Sequence, residues 1–204
     1  MDIGKKRWWD IPAVILLLIA LWLPALRLSL TKWTPDLARM ELLVLLGLIV
    51  GFAAGYSPAR KYIVMFLLFL ASLLVLPWQM SRALQVELPF IQIAAQWFLE
   101  VWNSLRLILA NQPVSNPILF LASMGLLFWL IGIIGGYRMI RYGKPWLAVF
   151  LAGAAIFLVD FYHPYLKHPA RYTGAFVLVC ILLVARLYYL HSRHHWEVQS
   201  VRVD

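Results

Sequence analysis

The sequence predicts an all-α membrane protein, a polytopic bundle of about six transmembrane helices with one amphipathic helix at the outer membrane surface. Of its 204 residues, 63% are hydrophobic and 13% are charged, and the mean hydropathy is +0.80. A soluble domain of ordinary composition is far less apolar. Six apolar stretches are long enough, at about 1.5 Å per residue, to cross a hydrocarbon layer of about 30 Å. We therefore treat residues 1–204 as a single integral membrane domain.

The apolar stretches are separated by segments that contain basic and aromatic residues. A cleaved signal peptide is not expected, because no small-x-small cleavage site follows the first stretch and equally apolar stretches come later. Trp and Tyr residues cluster at the ends of the stretches, which is typical of an interfacial belt. The six spans are predicted near residues 11–28, 40–56, 62–78, 118–137, 146–161 and 172–189.

The distribution of Lys and Arg predicts the orientation of the bundle. The two terminal segments, together with the loops that hold Lys61 and Arg138, carry about eleven basic residues, against about seven on the opposite side. The positive-inside rule makes the richer side cytoplasmic, so both termini are expected inside the cell. The formal charge of +9 is then a topological signal, and no nucleic-acid partner is expected.

Residues near 90–111, between the third and fourth spans, have a helical pattern. Polar residues recur every three or four positions among apolar ones, as in an amphipathic helix. A seventh span is disfavoured because Glu100 and Arg106 would both lie in hydrocarbon. The helix is expected either to lie on the outer membrane surface or to pack as a lid on the bundle. Its candidate surface for lipid or a partner consists of Trp97, Phe98 and Trp102.

Glycines at four-residue spacing occur in the second and fourth spans. Small residues on one face of a membrane helix allow a second backbone to approach closely. We therefore predict that these faces hold the bundle together by tight helix packing. The residues are Gly47, Gly51 and Gly55 in the second span, and Gly132 and Gly136 in the fourth.

The best candidate for a chemical site is the short outer connection between the last two spans. Asp160, His163 and His168 would be weak candidates for a metal or proton site. Prolines interrupt the segment, and the spacing matches no recognised metal motif. An interfacial cluster in which Asp160 pairs with a neighbouring base is the preferred interpretation. We assign no catalytic, cofactor-binding or metal residue, and expect no cofactor and no enzymatic activity.

Residues 26–37, Leu-Arg-Leu-Ser-Leu-Thr-Lys-Trp-Thr-Pro-Asp-Leu, precede the glycine-containing second span and Gly55-Tyr56-Ser57. This region resembles the first two membrane helices of bacterial transmembrane transglutaminase-like proteins. Residues 193–204 look like the cytoplasmic stretch after their sixth helix. The resemblance implies a multi-pass protein of the bacterial cytoplasmic (inner) membrane, with an extracytoplasmic catalytic domain that is absent from this chain. Cys180 is not carried over as its nucleophile, because it lies in an apolar helix without a nearby His or Asp.

Three functions remain open at this point. The first is a non-catalytic membrane anchor or scaffold module, whose partners are the lipid bilayer and either other membrane protein subunits or a C-terminal extracytoplasmic domain. The alternative is an accessory structural subunit of a large energy-converting membrane complex. A small transporter or channel is third, and the lack of central Asp, Glu, Lys or Arg in the spans weighs against ion coupling.

Overall fold

The computed structural model describes residues 10–34, 40–81, 90–112, 118–162 and 169–198. These residues form seven α-helices, and no strand occurs among them. The prediction of an all-α chain is confirmed. The helices are α1 (Ile11–Ser29), α2 (Met40–Tyr56), α3 (Lys61–Ser81), α4 (Phe90–Leu109), α5 (Ile118–Tyr142), α6 (Trp146–Tyr162) and α7 (Pro169–Val198).

Four of these helices, α1, α3, α5 and α7, are long and apolar enough to cross a membrane. The apolar helices α2 and α6 are shorter, with 17 residues each. A helix of that length measures about 25 Å, a little less than a hydrocarbon layer of about 30 Å. The described chain therefore has four candidate spans and two shorter apolar helices, which is compatible with a multi-pass membrane protein.

α5 and α7 continue furthest beyond the C-terminal ends of their predicted spans. α5 ends at Tyr142 rather than near residue 137, and α7 ends at Val198 rather than near residue 189. Hydropathy marks the part of a helix that suits hydrocarbon, whereas polar residues continue the same helix outside it. α5 stops where Gly143 adopts a φ of 64°, a left-handed conformation that glycine accepts without steric cost.

The helices form two packed groups around α5. α2 and α5 make the most extensive helix pair, and α1 packs against α7, α6 and α2. α3 and α4 pack on each other and on the flank of α5. The shared core is apolar and includes Leu17, Leu21, Leu48, Trp129 and Ile156, each at most 2% exposed.

Candidate functional site

The glycines of α2 contact the backbone of α5. A Cβ atom added to Gly47 would lie 2.6 Å from the carbonyl oxygen of Trp129. One added to Gly51 would strike the carbonyl oxygen of Ile133, and one added to Gly55 would lie 2.8 Å from the Cβ of Ile140. Real Cβ atoms essentially never approach other heavy atoms within 3.0 Å. α2 therefore reaches α5 only because these three positions carry no side chain.

The glycines of α5 face the same interface from the other side. A Cβ on Gly132 would strike the carbonyl oxygen of Val44, and one on Gly136 would lie 2.5 Å from the carbonyl oxygen of Leu48. The obstructing atoms belong to the backbone, so a side-chain rotation cannot relieve the clash. The structure thus brings all five of these glycines into one α2–α5 interface.

A buried ionic cluster joins three helices at one end of the bundle. Arg27 of α1 has no exposed surface, and its Nε donates a hydrogen bond to Oδ1 of Asp160 in α6 at 2.7 Å. The hydroxyl of Thr173 in α7 donates to Oδ2 of the same carboxylate. The guanidinium of Arg27 also lies over the ring of Tyr172, 5.2 Å from its centroid. Charge, hydrogen bonding and cation–π attraction therefore act at one junction of α1, α6 and α7.

The contacts of Asp160 in this cluster bear on its prediction as a weak candidate for a metal or proton site. Both of its carboxylate oxygens accept hydrogen bonds inside the bundle, and no group of three metal-ligating side chains occurs among the described residues. His163 and His168, the other two weak metal candidates, lie outside the described residues. The base beside Asp160 is Arg27, a partner that the sequence pattern does not identify. The sequence feature that could have identified this pair is the presence of opposite charges near the ends of two predicted spans.

A second ionic contact lies at the other end of α1. Asp10 caps this helix, with Oδ2 accepting a hydrogen bond from the Ala13 amide at 3.0 Å. Arg186 of α7 binds the same carboxylate with two hydrogen bonds, Nη2 to Oδ1 at 2.8 Å and Nε to Oδ2 at 3.0 Å. The Arg186 guanidinium holds the pKa of Asp10 below its ordinary value. α1 is thus fixed to its neighbours at both ends.

Further side-chain hydrogen bonds link α3 to α5 and α1 to α2. The indole Nε1 of Trp129 in α5 donates to the hydroxyl of Ser72 in α3 at 2.7 Å, and that hydroxyl donates to the carbonyl oxygen of Leu68 at 2.8 Å. The hydroxyl of Ser29 at the end of α1 donates to Oε1 of Glu41 in the first turn of α2 at 2.7 Å. Ser72 and Ser29, two polar side chains in apolar helices, therefore take part in links between helices.

The predicted partner surface of α4 divides between two directions. Trp97 is only 8% exposed and faces the bundle, whereas Phe98 is 44% exposed and Trp102 is 67% exposed. Trp97 departs from the prediction because α4 turns one side against α3 and α5. The spacing of apolar residues in the sequence does not show which side of α4 packs on the bundle and which side is exposed. Trp97, Phe98 and Trp102 belong to one broad apolar face of α4, of which one edge packs on the bundle and the other edge is exposed.

The exposed part of α4 carries two adjacent stripes. On a helical projection, Phe98, Trp102 and Leu105 form an exposed apolar stripe. The neighbouring stripe is polar and also exposed, and contains Gln92, Gln96, Asn103 and Arg106.

An apolar groove runs beside the bundle-facing side of α4. Its volume is about 420 Å³, and it is lined by residues of α3, α4 and α5, including Phe69, Trp97 and Phe98. Two buried polar atoms of α4, Nε1 of Trp97 and Oε2 of Glu100, have no hydrogen-bond partner in the part of the chain that the structure describes. Leaving a buried polar atom unpaired costs about 1–3 kcal/mol. Most buried polar atoms in proteins are hydrogen-bonded, so these two unpaired atoms require a structural explanation.

No protein-family model, curated protein or solved structure matches this chain. Function is therefore inferred from the contacts between its helices.

Proposed function

We propose that this chain is a non-catalytic membrane scaffold module that holds a helix of another membrane protein against α4. The observation that supports this function best is a pair of unsatisfied buried atoms on α4, Nε1 of Trp97 and Oε2 of Glu100. Trp97 lines the apolar groove, and Glu100 follows it by one helical turn. A buried donor and a buried acceptor that are left unpaired one turn apart are complementary to polar groups that a partner would supply.

The remainder of the bundle suits a rigid platform. α1 is held by Arg186 at one end and by Asp160 at the other, and α2 meets α5 backbone to backbone. An alternating-access transporter needs one part of the bundle to rock against the other. Movement of α1 against α6 and α7, or of α2 against α5, would break these contacts, so they favour the scaffold over the transporter.

The proposed partner has a defined chemistry. It is a membrane helix with apolar side chains that pack on Phe98 and Trp102, and with at least one polar side chain near Glu100. If the chain is the membrane part of a transglutaminase-like protein, this helix belongs to the segment that carries the extracytoplasmic domain. Under the alternative hypothesis, it belongs to a subunit of a larger membrane complex. Its identity distinguishes these two versions of the scaffold function.

Site-specific photo-cross-linking in the native membrane tests the proposal. A photoreactive phenylalanine derivative replaces Trp102, and the matched control replaces Phe150, an exposed aromatic residue on α6. We expect a discrete protein adduct at position 102 and none at position 150. Replacing Phe98 with the same derivative should capture the same protein.

A second variant links the adduct to the unsatisfied carboxylate. Glu100→Leu removes the acceptor, whereas Glu100→Gln keeps an acceptor oxygen of the same size. The adduct at position 102 should be lost in Glu100→Leu and retained in Glu100→Gln. Adducts with lipid alone at both positions, or equal protein capture at 102 and 150, would contradict the scaffold function.

A further inference from the structure

A second cleft lies between α3 and α5, at the end of the bundle where α3 begins and α5 ends. Its volume is about 580 Å³. The inner wall is apolar and is formed by Val64, Met65, Leu68, Ile133, Ile134 and Leu147. This wall continues along helices that are apolar enough to span a membrane. A hydrocarbon chain fits such a wall, whereas a soluble anion gains nothing from it.

The rim of the cleft is cationic. Lys61 from α3, Arg138 from α5 and Lys144 from the α5–α6 turn all line it, together with Tyr137 and Tyr142. No Asp or Glu lines this cleft among the described residues. Three positive charges from different parts of the chain thus meet at one opening without a carboxylate to neutralise them. Their convergence favours an anionic group at the rim.

A partly buried arginine, Arg141, lies behind this rim. The Arg141 side chain lies over the ring of Tyr137, 5.6 Å from its centroid. Nη1 of Arg141 is buried and has no hydrogen-bond partner among the residues that the structure describes. A buried charged donor that lacks an acceptor is costly. Its position next to a lining residue of the cleft adds a fourth cation to the same region.

We propose that this cleft binds one anionic phospholipid molecule. The phosphate group lies between Lys61, Arg138 and Lys144, and an acyl chain follows the apolar wall along α3 and α5. Tyrosines at the rim suit the boundary between headgroup and hydrocarbon. This binding site goes beyond the scaffold function and does not rest on it. Its cleft adjoins the groove beside α4 and shares Met65, Leu68 and Ile133 with it, but the cleft and its cationic rim contain no residue of α4.

The test is native mass spectrometry of the purified full chain in detergent, after addition of phosphatidylglycerol or of zwitterionic phosphatidylcholine. The probe variant carries Lys61→Gln, Arg138→Gln and Lys144→Gln together. The matched control carries Lys32→Gln, Arg106→Gln and Arg171→Gln, which remove the same number of exposed charges outside the cleft. Bound lipid is counted from the mass increments.

We expect the unaltered chain to retain one phosphatidylglycerol in preference to phosphatidylcholine. The cleft triple variant should bind phosphatidylglycerol about a hundredfold more weakly, at about fivefold for each cation removed, and the control triple variant should bind as the unaltered chain does. Equal retention of both lipids, an unaffected cleft variant, or an equal loss in the control would each overturn the proposal.

A further variant distinguishes a lipid bound in the cleft from a lipid attracted to a charged surface. It also tests the proposal if the triple variant fails to fold. Leu147→Trp enlarges a half-exposed residue of the wall and leaves every cation in place. If a lipid occupies the cleft, this substitution should displace it and reduce the retained phosphatidylglycerol. Unchanged retention in a folded Leu147→Trp protein would contradict a lipid seated in the cleft.

Discussion

Nε of Arg27 lies 2.7 Å from Oδ1 of Asp160, across 133 positions of sequence, and this contact ties α1 to α6 inside the bundle. The Arg27 side chain is fully buried, and that of Asp160 is 17% exposed. Both charges have lost most of their water. Their mutual contact, the hydroxyl of Thr173 and the ring of Tyr172 replace that hydration in part.

Asp160→Asn should destabilise the bundle strongly. Removing one member of a buried ion pair leaves the other charge uncompensated, which typically costs about 3–5 kcal/mol. The measurement is the thermal unfolding midpoint of the purified protein in mild detergent. The double variant Arg27→Met with Asp160→Met removes both charges and should recover much of the loss. A single variant as stable as the unaltered protein would show that the pair is not energetically important.

Gly51→Ala should destabilise the α2–α5 interface, because the new methyl group would meet the Ile133 carbonyl. Overpacking of this kind costs about 1–3 kcal/mol. Gly174→Ala is the matched control in α7, where an added Cβ meets nothing within 4 Å. That control should leave stability unchanged or raise it by up to about 1 kcal/mol, since alanine favours helix. Equal effects at both positions, measured by thermal unfolding, would contradict close backbone packing.

The contact between Asp10 and Arg186 should make stability depend on acid pH. The folded protein holds the pKa of Asp10 below its ordinary value of 3.8, so the unfolded chain takes up the proton first as pH falls. The stabilisation is therefore fully present above about pH 4 and is lost as pH drops through the folded-state pKa. Asp10→Asn keeps a residue able to cap α1 and removes the charge. The difference in unfolding midpoint between the two proteins should shrink at acid pH; a constant difference would contradict the linkage.

The hydrogen bond between Trp129 and Ser72 should help to hold α3 on α5. Hydrogen bonds between membrane helices contribute about 0.6 kcal/mol on average. Ser72→Ala and Trp129→Phe, alone and combined, form a double-mutant cycle read by thermal unfolding. The coupling energy should be favourable and of that order. Additive effects would show that the bond contributes nothing measurable.

Local patterns in the sequence were sufficient for the helices and for the glycine faces. Long apolar runs satisfy their backbone hydrogen bonds most simply as helices, so α2 has its predicted bounds of residues 40–56. Gly47, Gly51 and Gly55 share a face because four-residue spacing returns to the same side of a helix. Gly132 and Gly136 share one face of α5 for the same reason. These features depend only on neighbours within a few residues.

Tertiary structure decided which residues meet across long distances in the chain. The sequence places Arg27 and Asp160 near the ends of two spans, but only the packing of α1 against α6 brings them into contact. The orientation of α4 likewise decided that Trp97 is buried and Trp102 is exposed. Spacing along one helix identifies which residues share a face. Which face meets another helix depends on the rotation and docking of the whole helix, because burial is a property of the assembled bundle and not of the local sequence.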